Sequence, residues 1–314
     1  MNSDTSLRAC LLGVPTHFGA NNMGVEMGPN AYRYQDIIPK LQRAGITVRD
    51  AHNIPCKERH QGDLGNNPKL RYLPEVLQIS QDTAKVVDES IRANERMIVL
   101  GGDHTTALGA VSGASAAVDG DIGIIYFDAH GDMNTDVTTP SGNIHGMQLA
   151  SLMGFGAPEL AQVHTKNVKV HPQNVLHIGG CDMDQAELDL IARENIPAFT
   201  MHDLMCQGLG PLLKLIAELQ SRVKYIWVSL DLDSIDAQYA PAAGMPNKKG
   251  LLYREVSELA QFIGKHCQVI GVDVVEYNPL ADIDRKTADL ATELIATFLG
   301  REYSWYTEYL ARQK

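Results

Sequence analysis

Two apolar segments constrain the fold of this chain more than any other feature of its sequence. Residues 122–127 read IGIIYF and residues 224–230 read KYIWVSL, so apolar side chains occur at both alternating sets of positions. Successive side chains of a strand point to opposite faces of a sheet, and strands with this pattern are covered by helices on both faces. The two segments therefore predict an α/β fold with a parallel sheet.

Short apolar runs alternate with helical stretches along the whole chain, which is typical of βαβ units. The predicted strands are residues 8–13, 46–50, 97–101, 122–128, 174–179, 197–201, 224–231 and 268–273. The predicted helices are residues 29–44, 74–94, 105–116, 143–153, 184–193, 211–221, 253–265 and 286–299. We find no repeat, low-complexity tract or linker, and we therefore expect a single domain over residues 1–314.

Acidic side chains follow both apolar segments in an alternating pattern. Asp128, His130 and Asp132 alternate in FDAHGDMN (127–134), and Asp231 and Asp233 alternate in WVSLDLD (227–233). Alternate side chains of an extended segment point the same way, so each cluster directs its groups at one point. Such groups repel each other unless a cation lies between them. The pattern predicts a site for a divalent cation such as manganese.

The same groups stand at strand ends, where ligands bind in open α/β sheets. His104 follows the strand MIVLG, and Glu276 follows VIGVDVV. The six candidate metal ligands are His104, Asp128, His130, Asp132, Asp231 and Asp233. Six ligands suit two metals that share carboxylates and lower the pKa of a bound water. A single acid at a strand end is more often a helix cap, and a magnesium phosphatase is the competing interpretation of an acidic two-metal site.

Composition excludes several other classes of protein. The net charge of −11 argues against a nucleic-acid partner, because phosphate binding needs clustered Lys and Arg. No apolar run approaches the roughly 18 residues that cross a membrane, and no secretory signal is visible. The five cysteines are odd in number and have no CxxC spacing, which predicts reduced thiols. We therefore expect a cytoplasmic protein.

Six sequence motifs carry a resemblance to a known family. They are GVEMGPNAYR at 24–33, GGDH at 101–104, DAHGDMN at 128–134, SGNIHG at 141–146, SLDLD at 229–233 and VEYNP at 275–279. In this order they resemble the ureohydrolase superfamily, and within it most closely the bacterial arginases. The resemblance covers nearly the whole chain. It implies a three-layer α/β/α sandwich around a mostly parallel sheet of about eight strands, and a homo-oligomer, either a trimer or a hexamer.

The resemblance also implies two Mn²⁺ ions per chain. One ion would be held by His104, Asp128, Asp132 and Asp231, and the other by His130, Asp231 and Asp233. Asp128 and Asp231 would bridge the two ions.

The substrate implied by the resemblance is a guanidino compound, with L-arginine first. Glu276 would pair with the guanidinium group, and His145 would act as a proton shuttle. Asn134, Ser141 and Asn143 would hold the α-carboxylate, and Asp184 and Glu187 would meet the α-ammonium group. A bridging hydroxide would attack the guanidino carbon, Asp132 would pass a proton to the leaving amine, and the products would be L-ornithine and urea.

One loop departs from the arginase pattern and leaves the substrate open. The loop 234–250 places Met245 where a hydroxyl side chain is expected, and Cys181 stands where the family often has arginine. Neither position is a predicted metal ligand. Two alternatives to arginase therefore stay open: a ureohydrolase for agmatine, a guanidino acid or a modified arginine, and a non-catalytic family member that acts as a binding subunit.

Overall fold

An eight-stranded parallel sheet organises the part of the chain that the computed structural model describes, residues 7–21, 23–59 and 65–302. The strands are β1 (Leu7–Val14), β2 (Ile46–Asn53), β3 (Arg96–Gly101), β4 (Ile122–Phe127), β5 (Val175–Ile178), β6 (Ala198–Phe199), β7 (Tyr225–Asp231) and β8 (Val269–Val275). Their spatial order is β2-β1-β3-β8-β7-β4-β5-β6, and all seven pairings are parallel.

Helices cover both faces of the sheet. They are α1 (Gly28–Tyr34), α2 (Ile37–Arg43), α3 (Leu73–Arg92), α4 (Thr106–Ala117), α5 (Gln148–Leu152), α6 (Pro158–Ala161), α7 (Gln185–Glu194), α8 (Met201–Gln207), α9 (Leu209–Arg222), α10 (Tyr253–His266) and α11 (Lys286–Phe298). Two buried apolar clusters divide the alternating strand residues between them: Ile125 and Phe127 belong to one, and Ile124 and Tyr126 to the other. The predicted three-layer α/β/α sandwich is confirmed, and no helix in the described ranges is long and apolar enough to span a membrane.

The predicted strands are all present, but two predicted helices are wrong in detail. The helix expected over 29–44 is broken into α1 and α2, because Asp36 adopts a left-handed conformation with a φ of 64°, which Asp tolerates better than most residues. The helix expected over 143–153 is reduced to a 3₁₀ turn at Ile144–Gly146 and the short α5. The helices α6 and α8 were not predicted; α8 begins with a capping box formed by Thr200 and Asp203.

The strand order brings the functional strand ends together. The strands β3, β8, β7 and β4 are consecutive neighbours in the middle of the sheet. Phe127 pairs with Leu230, and Asp231 pairs with Val275. Asp128 and Glu276 are the next residues after these pairs, so the acids of three strands reach the same edge at one level.

Candidate metal centre and substrate pocket

Two overlapping groups of side chains can hold metal ions among the described residues. His104, Asp128 and Asp231 form one group, and Asp128, His130 and Asp233 form the other; the ligand atoms within each lie within 4.8 Å of one another. In the first group, the distance from His104 Nδ1 is 3.0 Å to Asp128 Oδ2 and 3.2 Å to Asp231 Oδ2. In the second, His130 Nδ1 is 3.1 Å from Asp233 Oδ2 and 3.4 Å from Asp128 Oδ1. The shared residue is Asp128.

A buried chain of hydrogen bonds orients the His104 ring. Ser229 Oγ donates to Asp273 Oδ2 at 2.7 Å, so its lone pair faces His104 Nε2 at 3.0 Å. Asp273 Oδ1 also accepts a hydrogen bond from Trp227 Nε1 at 2.5 Å. The side chains of Trp227, Ser229 and Asp273 are completely buried. His104 Nε2 therefore donates to Ser229 Oγ, and the other ring nitrogen, Nδ1, faces the carboxylates. Fixing the second nitrogen of a ligating histidine in this way is the usual arrangement in metal sites.

The charges of the two groups favour a cation at their centre. Burial, followed by the carboxylates of Asp132 and Asp233, raises the pKa of Asp128 to about 6. Burial alone would lower the pKa of His104, but the carboxylates of Asp128, Asp132 and Asp231 close to its Nδ1 raise that pKa well above the ordinary value. Asp128 Oδ2 is buried and has no hydrogen-bond partner in the described structure. Carboxylate and imidazole donors with one unsatisfied buried oxygen fit borderline divalent cations.

Asp132, the remaining predicted ligand, belongs to neither group. Its Oδ2 lies 3.1 Å from His104 Nδ1 and accepts hydrogen bonds from Tyr126 Oη at 2.7 Å and from Gln148 Nε2. Its backbone is left-handed, with a φ of 53°, and its carbonyl accepts from Leu149 N at 3.1 Å. The loop after the first acid cluster therefore folds back on Asp132.

Glu276 lies beside the metal groups at the edge of the pocket. Its Oε1 accepts a hydrogen bond from His104 N at 3.1 Å and lies 3.7 Å from His145 Nδ1. Although burial opposes a charged imidazole, the Glu276 carboxylate and more distant acids raise the pKa of His145 to about 9. Gly244 packs against the same carboxylate, and its N donates to Glu276 O at 2.7 Å. The structure thus places a buried carboxylate beside a histidine whose protonated form it favours.

The pocket has a volume of about 320 Å³. The predicted site residues that line it are His130, Asp132, Asn134, Ser141, Asn143, His145, Asp184, Glu187, Asp231, Asp233 and Glu276. The predicted substrate residues thus share one cavity with most of the predicted metal ligands. His104 and Asp128 lie beneath it, each only 1% exposed.

Hydrogen bonds already engage part of the predicted substrate set. Asn134 Nδ2 donates to Asp184 Oδ2 at 2.8 Å, and Asn134 Oδ1 accepts from Thr138 Oγ1 at 2.9 Å. Asn143 Oδ1 lies 3.5 Å from Arg71 Nη1, so the amide nitrogen is the end left for an acceptor on a ligand. Ser141 Oγ accepts from Asn143 N at 3.2 Å. These bonds hold the side chains of Asn134, Ser141 and Asn143 in place along the pocket.

Glu187 and Asp184 have a structural role in addition to their place in the pocket. They form the capping box that starts α7, with Glu187 Oε2 accepting from Asp184 N at 2.8 Å. Glu187 Oε1 accepts from Met133 N at 3.0 Å, which ties α7 to the first acid cluster. Burial, with Asp132 adding to it, raises the pKa of Glu187 to about 7.

The divergent loop reaches the pocket at one position. Met245 lines the cavity and is 48% exposed. Further along, Asn247 Nδ2 donates to Cys181 Sγ at 2.9 Å. The two departures from the family pattern, at Cys181 and in the loop 234–250, therefore lie in contact.

Sequence reasoning missed several residues of the site. They are Tyr126, Thr139, Gln148, Ser229 and Asp273. Two of them carried a usable signal: Tyr126 and Ser229 stand two residues before Asp128 and Asp231, and side chains at that spacing share a face of a strand. Gln148 had no such signal, because its contact depends on the path of a loop.

Comparisons with known proteins agree on one family. A model of the Arginase family matches residues 7–300. The arginase of Bacillus caldovelox is 37% identical over 294 residues, covering 93% of this chain and 98% of the relative. The arginase of Brevibacillus brevis is 36% identical over 301 residues, covering 96% and 99%. The crystal structure of arginase from Bacillus cereus has a TM-score of 0.88 and 34% identity, covering 95% of this chain and all of that one.

Proposed function

The chain belongs to the arginase family, and on that premise we propose that it hydrolyses L-arginine to L-ornithine and urea. The observation that carries the proposal is the buried Glu276 carboxylate, which shares a pocket with the clustered aspartates and histidines. Relatives named as arginases match nearly the whole chain, which favours L-arginine over other guanidino substrates.

The metal groups are proposed to hold two Mn²⁺ ions. His104, Asp128 and Asp231 would bind one, and Asp128, His130 and Asp233 the other, as the distances support; Asp132 is proposed as a further ligand of the first. Bound divalent cations would supply Lewis acidity, which makes a hydroxide nucleophile available from water at neutral pH.

Glu276 is proposed to hold the guanidinium group. A carboxylate pairs with a guanidinium through two parallel charge-assisted hydrogen bonds, and the Glu276 side chain is only 10% exposed. Its backbone is left-handed, with a φ of 62°, and its N donates to Gly102 O at 2.8 Å. The carboxylate is thereby held at one place over the metal groups.

The outer end of the pocket is proposed to recognise the amino-acid part of the substrate. Ser141 and the amide nitrogens of Asn134 and Asn143 offer donors for the α-carboxylate, and Asp184 and Glu187 offer carboxylates for the α-ammonium group. Agmatine lacks the α-carboxylate, so this arrangement supports an amino acid.

Two residues are proposed to move protons. Asp132 lines the pocket between His104 and the substrate loop, where its carboxyl group can pass a proton to the leaving amine. His145 lies beside Glu276, whose carboxylate raises its pKa to about 9 and so favours the protonated form. It can exchange a proton between the pocket and solvent, since its side chain is 26% exposed.

We further propose a cytoplasmic homo-oligomer. The five cysteines are unpaired, which supports a reducing compartment. Size-exclusion chromatography with light scattering would measure whether the protein is a trimer or a hexamer.

A urea assay tests the proposed function. Manganese-loaded protein would be incubated with L-arginine, agmatine and 4-guanidinobutyrate, with metal content measured on the same sample. Urea from L-arginine at the highest kcat/KM is expected. Urea release from agmatine or 4-guanidinobutyrate but not from L-arginine would show that L-arginine is not the substrate. If metal-loaded protein releases urea from none of the three compounds, the binding-subunit alternative is supported.

A further inference from the structure

The hydroxyl of Tyr126 is a buried polar group beside the metal groups that the proposed function does not use. Tyr126 lies on β4 and is completely buried. Its ring stacks on His104 with centroids 4.7 Å apart and an interplanar angle of 4°. Its Oη lies 3.1 Å from His104 Nδ1 and 2.7 Å from Asp132 Oδ2. One phenol therefore touches two of the predicted metal ligands.

The direction of the phenol hydrogen follows from its neighbours. Gln148 Nε2 donates to Tyr126 Oη at 2.8 Å, so the oxygen already accepts one hydrogen bond. The single hydroxyl hydrogen is then directed to Asp132 Oδ2, the shorter of the two remaining contacts. Gln148 Nε2 also donates to Asp132 Oδ2. Two buried donors thus converge on the same carboxylate oxygen.

The side chain of Asp132 is oriented by contacts to only one of its two oxygens. Its backbone φ of 53° is left-handed, a region that Asp tolerates better than most residues. Within the described residues no hydrogen bond reaches Oδ1, whereas Oδ2 is bound by Tyr126 and Gln148. The two donors therefore decide which oxygen of Asp132 remains available to the pocket.

We propose that Tyr126, together with Gln148, is a positioning residue that orients the Asp132 carboxylate toward the metal centre and the leaving amine. This inference rests on the proposed function of the site. It assigns the hydroxyl a role that a phenylalanine at this position could not fill.

The test is the variant Tyr126→Phe, which removes one hydroxyl and keeps the ring that stacks on His104. Metal-free protein would be titrated with MnCl₂ in a calorimeter. Loss of a group that orients a metal ligand typically lowers metal affinity or activity by about 10- to 100-fold. We expect one of two manganese sites to weaken by that factor, and we expect kcat for L-arginine to fall while its KM stays near the wild-type value.

Two further variants separate positioning from stability. Tyr253→Phe is the matched control, because Tyr253 Oη donates to the Glu293 carboxylate at 2.6 Å on the surface; it should keep wild-type metal binding. Gln148→Met removes the second donor to Asp132 Oδ2 and should weaken the same manganese site. Because both donors act on one oxygen, the loss of manganese affinity in the double variant should be smaller than the product of the losses in the two single variants.

The outcomes distinguish this inference from the proposed function. If Tyr126→Phe and Gln148→Met both bind two manganese ions with wild-type affinity and keep wild-type kcat, the positioning role is refuted. If the wild-type protein binds manganese but produces no urea, the proposed function fails while the titration still decides the role of Tyr126. If the wild-type protein binds no manganese, both are refuted.

Discussion

Replacing Gly244 by alanine is the most direct test of how the pocket holds a guanidinium group. A Cβ on Gly244 would meet Glu276 Oε2 about 1 Å inside the 3.4 Å at which ordinary van der Waals contact begins. The other oxygen of this carboxylate, Oε1, accepts from His104 N at 3.1 Å, so a shift of the side chain also disturbs that hydrogen bond. Val25 Cγ1 would be in ordinary contact with the new Cβ at 3.5 Å. Glu276 must therefore move out of its present position.

The size of the effect follows from the displacement. A misplacement of about 1 Å at a reacting centre costs about 10²-fold in rate. Hydrogen bonds to charged groups contribute about 1.5–3 kcal/mol each. Loss of one of the two hydrogen bonds between Glu276 and the guanidinium group therefore gives a fall in rate of similar size. We expect kcat/KM for L-arginine to fall about 10²-fold in Gly244→Ala, approaching the loss in Glu276→Gln.

The assay is steady-state urea release, with metal content and thermal unfolding measured on the same preparations. Gly210→Ala is the matched control. Gly210 lies in α9, no atom of the described residues comes within 4 Å of its added Cβ, and alanine favours a helix over glycine by about 1 kcal/mol. This control should keep full activity. A folded, metal-loaded Gly244→Ala with wild-type kcat/KM would refute the assignment of Glu276 to the guanidinium group.

Three other predictions address the metals, the substrate and the proton. Asp128→Asn should lose both manganese ions on dialysis, whereas Asp233→Asn should lose one. Elemental analysis that finds two manganese ions per chain in Asp128→Asn would contradict the sharing of Asp128 between the two metal groups. Asn143→Ala should raise KM for L-arginine but leave the inhibition constant of agmatine unchanged, because agmatine has no α-carboxylate. An equal increase in both constants would contradict the assignment of Asn143 to the α-carboxylate. The pKa of His145 is raised in the folded protein to about 9 from an ordinary value of 6.5. This raised pKa stabilises metal-free protein below pH 6.5, and the contribution is lost as pH rises through 9. Urea unfolding should therefore show His145→Gln less stable than wild type at pH 6 and equally stable at pH 10, and a gap that grows with pH would contradict this.

The sheet and the meeting of the acid clusters could be predicted from the sequence because they depend on strand periodicity and on the ends of neighbouring parallel strands. A strand that is apolar on both faces must lie between helices, as IGIIYF does in β4. Alternation then fixes which side chains leave the strand end on the same side. Asp128 and Asp231 needed no knowledge of loops to be placed together, since their strands are neighbours in register.

The supporting contacts could not be predicted in the same way, because they depend on turns with unusual backbone angles. The left-handed φ of Asp132 turns the chain so that Gln148 returns to it from 16 positions later in the sequence. A similar angle at Asp36 divides a helix that periodicity alone would continue. Neither Asp carries a sequence signal that distinguishes it from an Asp in an ordinary loop.

The divergent loop 234–250 shows why sequence departures near the site need not displace Glu276. The part of the loop next to Glu276 is held by backbone hydrogen bonds, from Gly244 N to Glu276 O at 2.7 Å and from Asn278 N to Ala242 O at 2.8 Å. Backbone pairing of this kind does not depend on side-chain identity, apart from the need for glycine at 244. Met245 comes directly after this paired stretch and is 48% exposed, so its side chain can vary without moving the carboxylate. The divergent sequence therefore changes the pocket wall at Met245. It leaves intact the backbone hydrogen bonds that hold Glu276, the residue that would bind the guanidinium group.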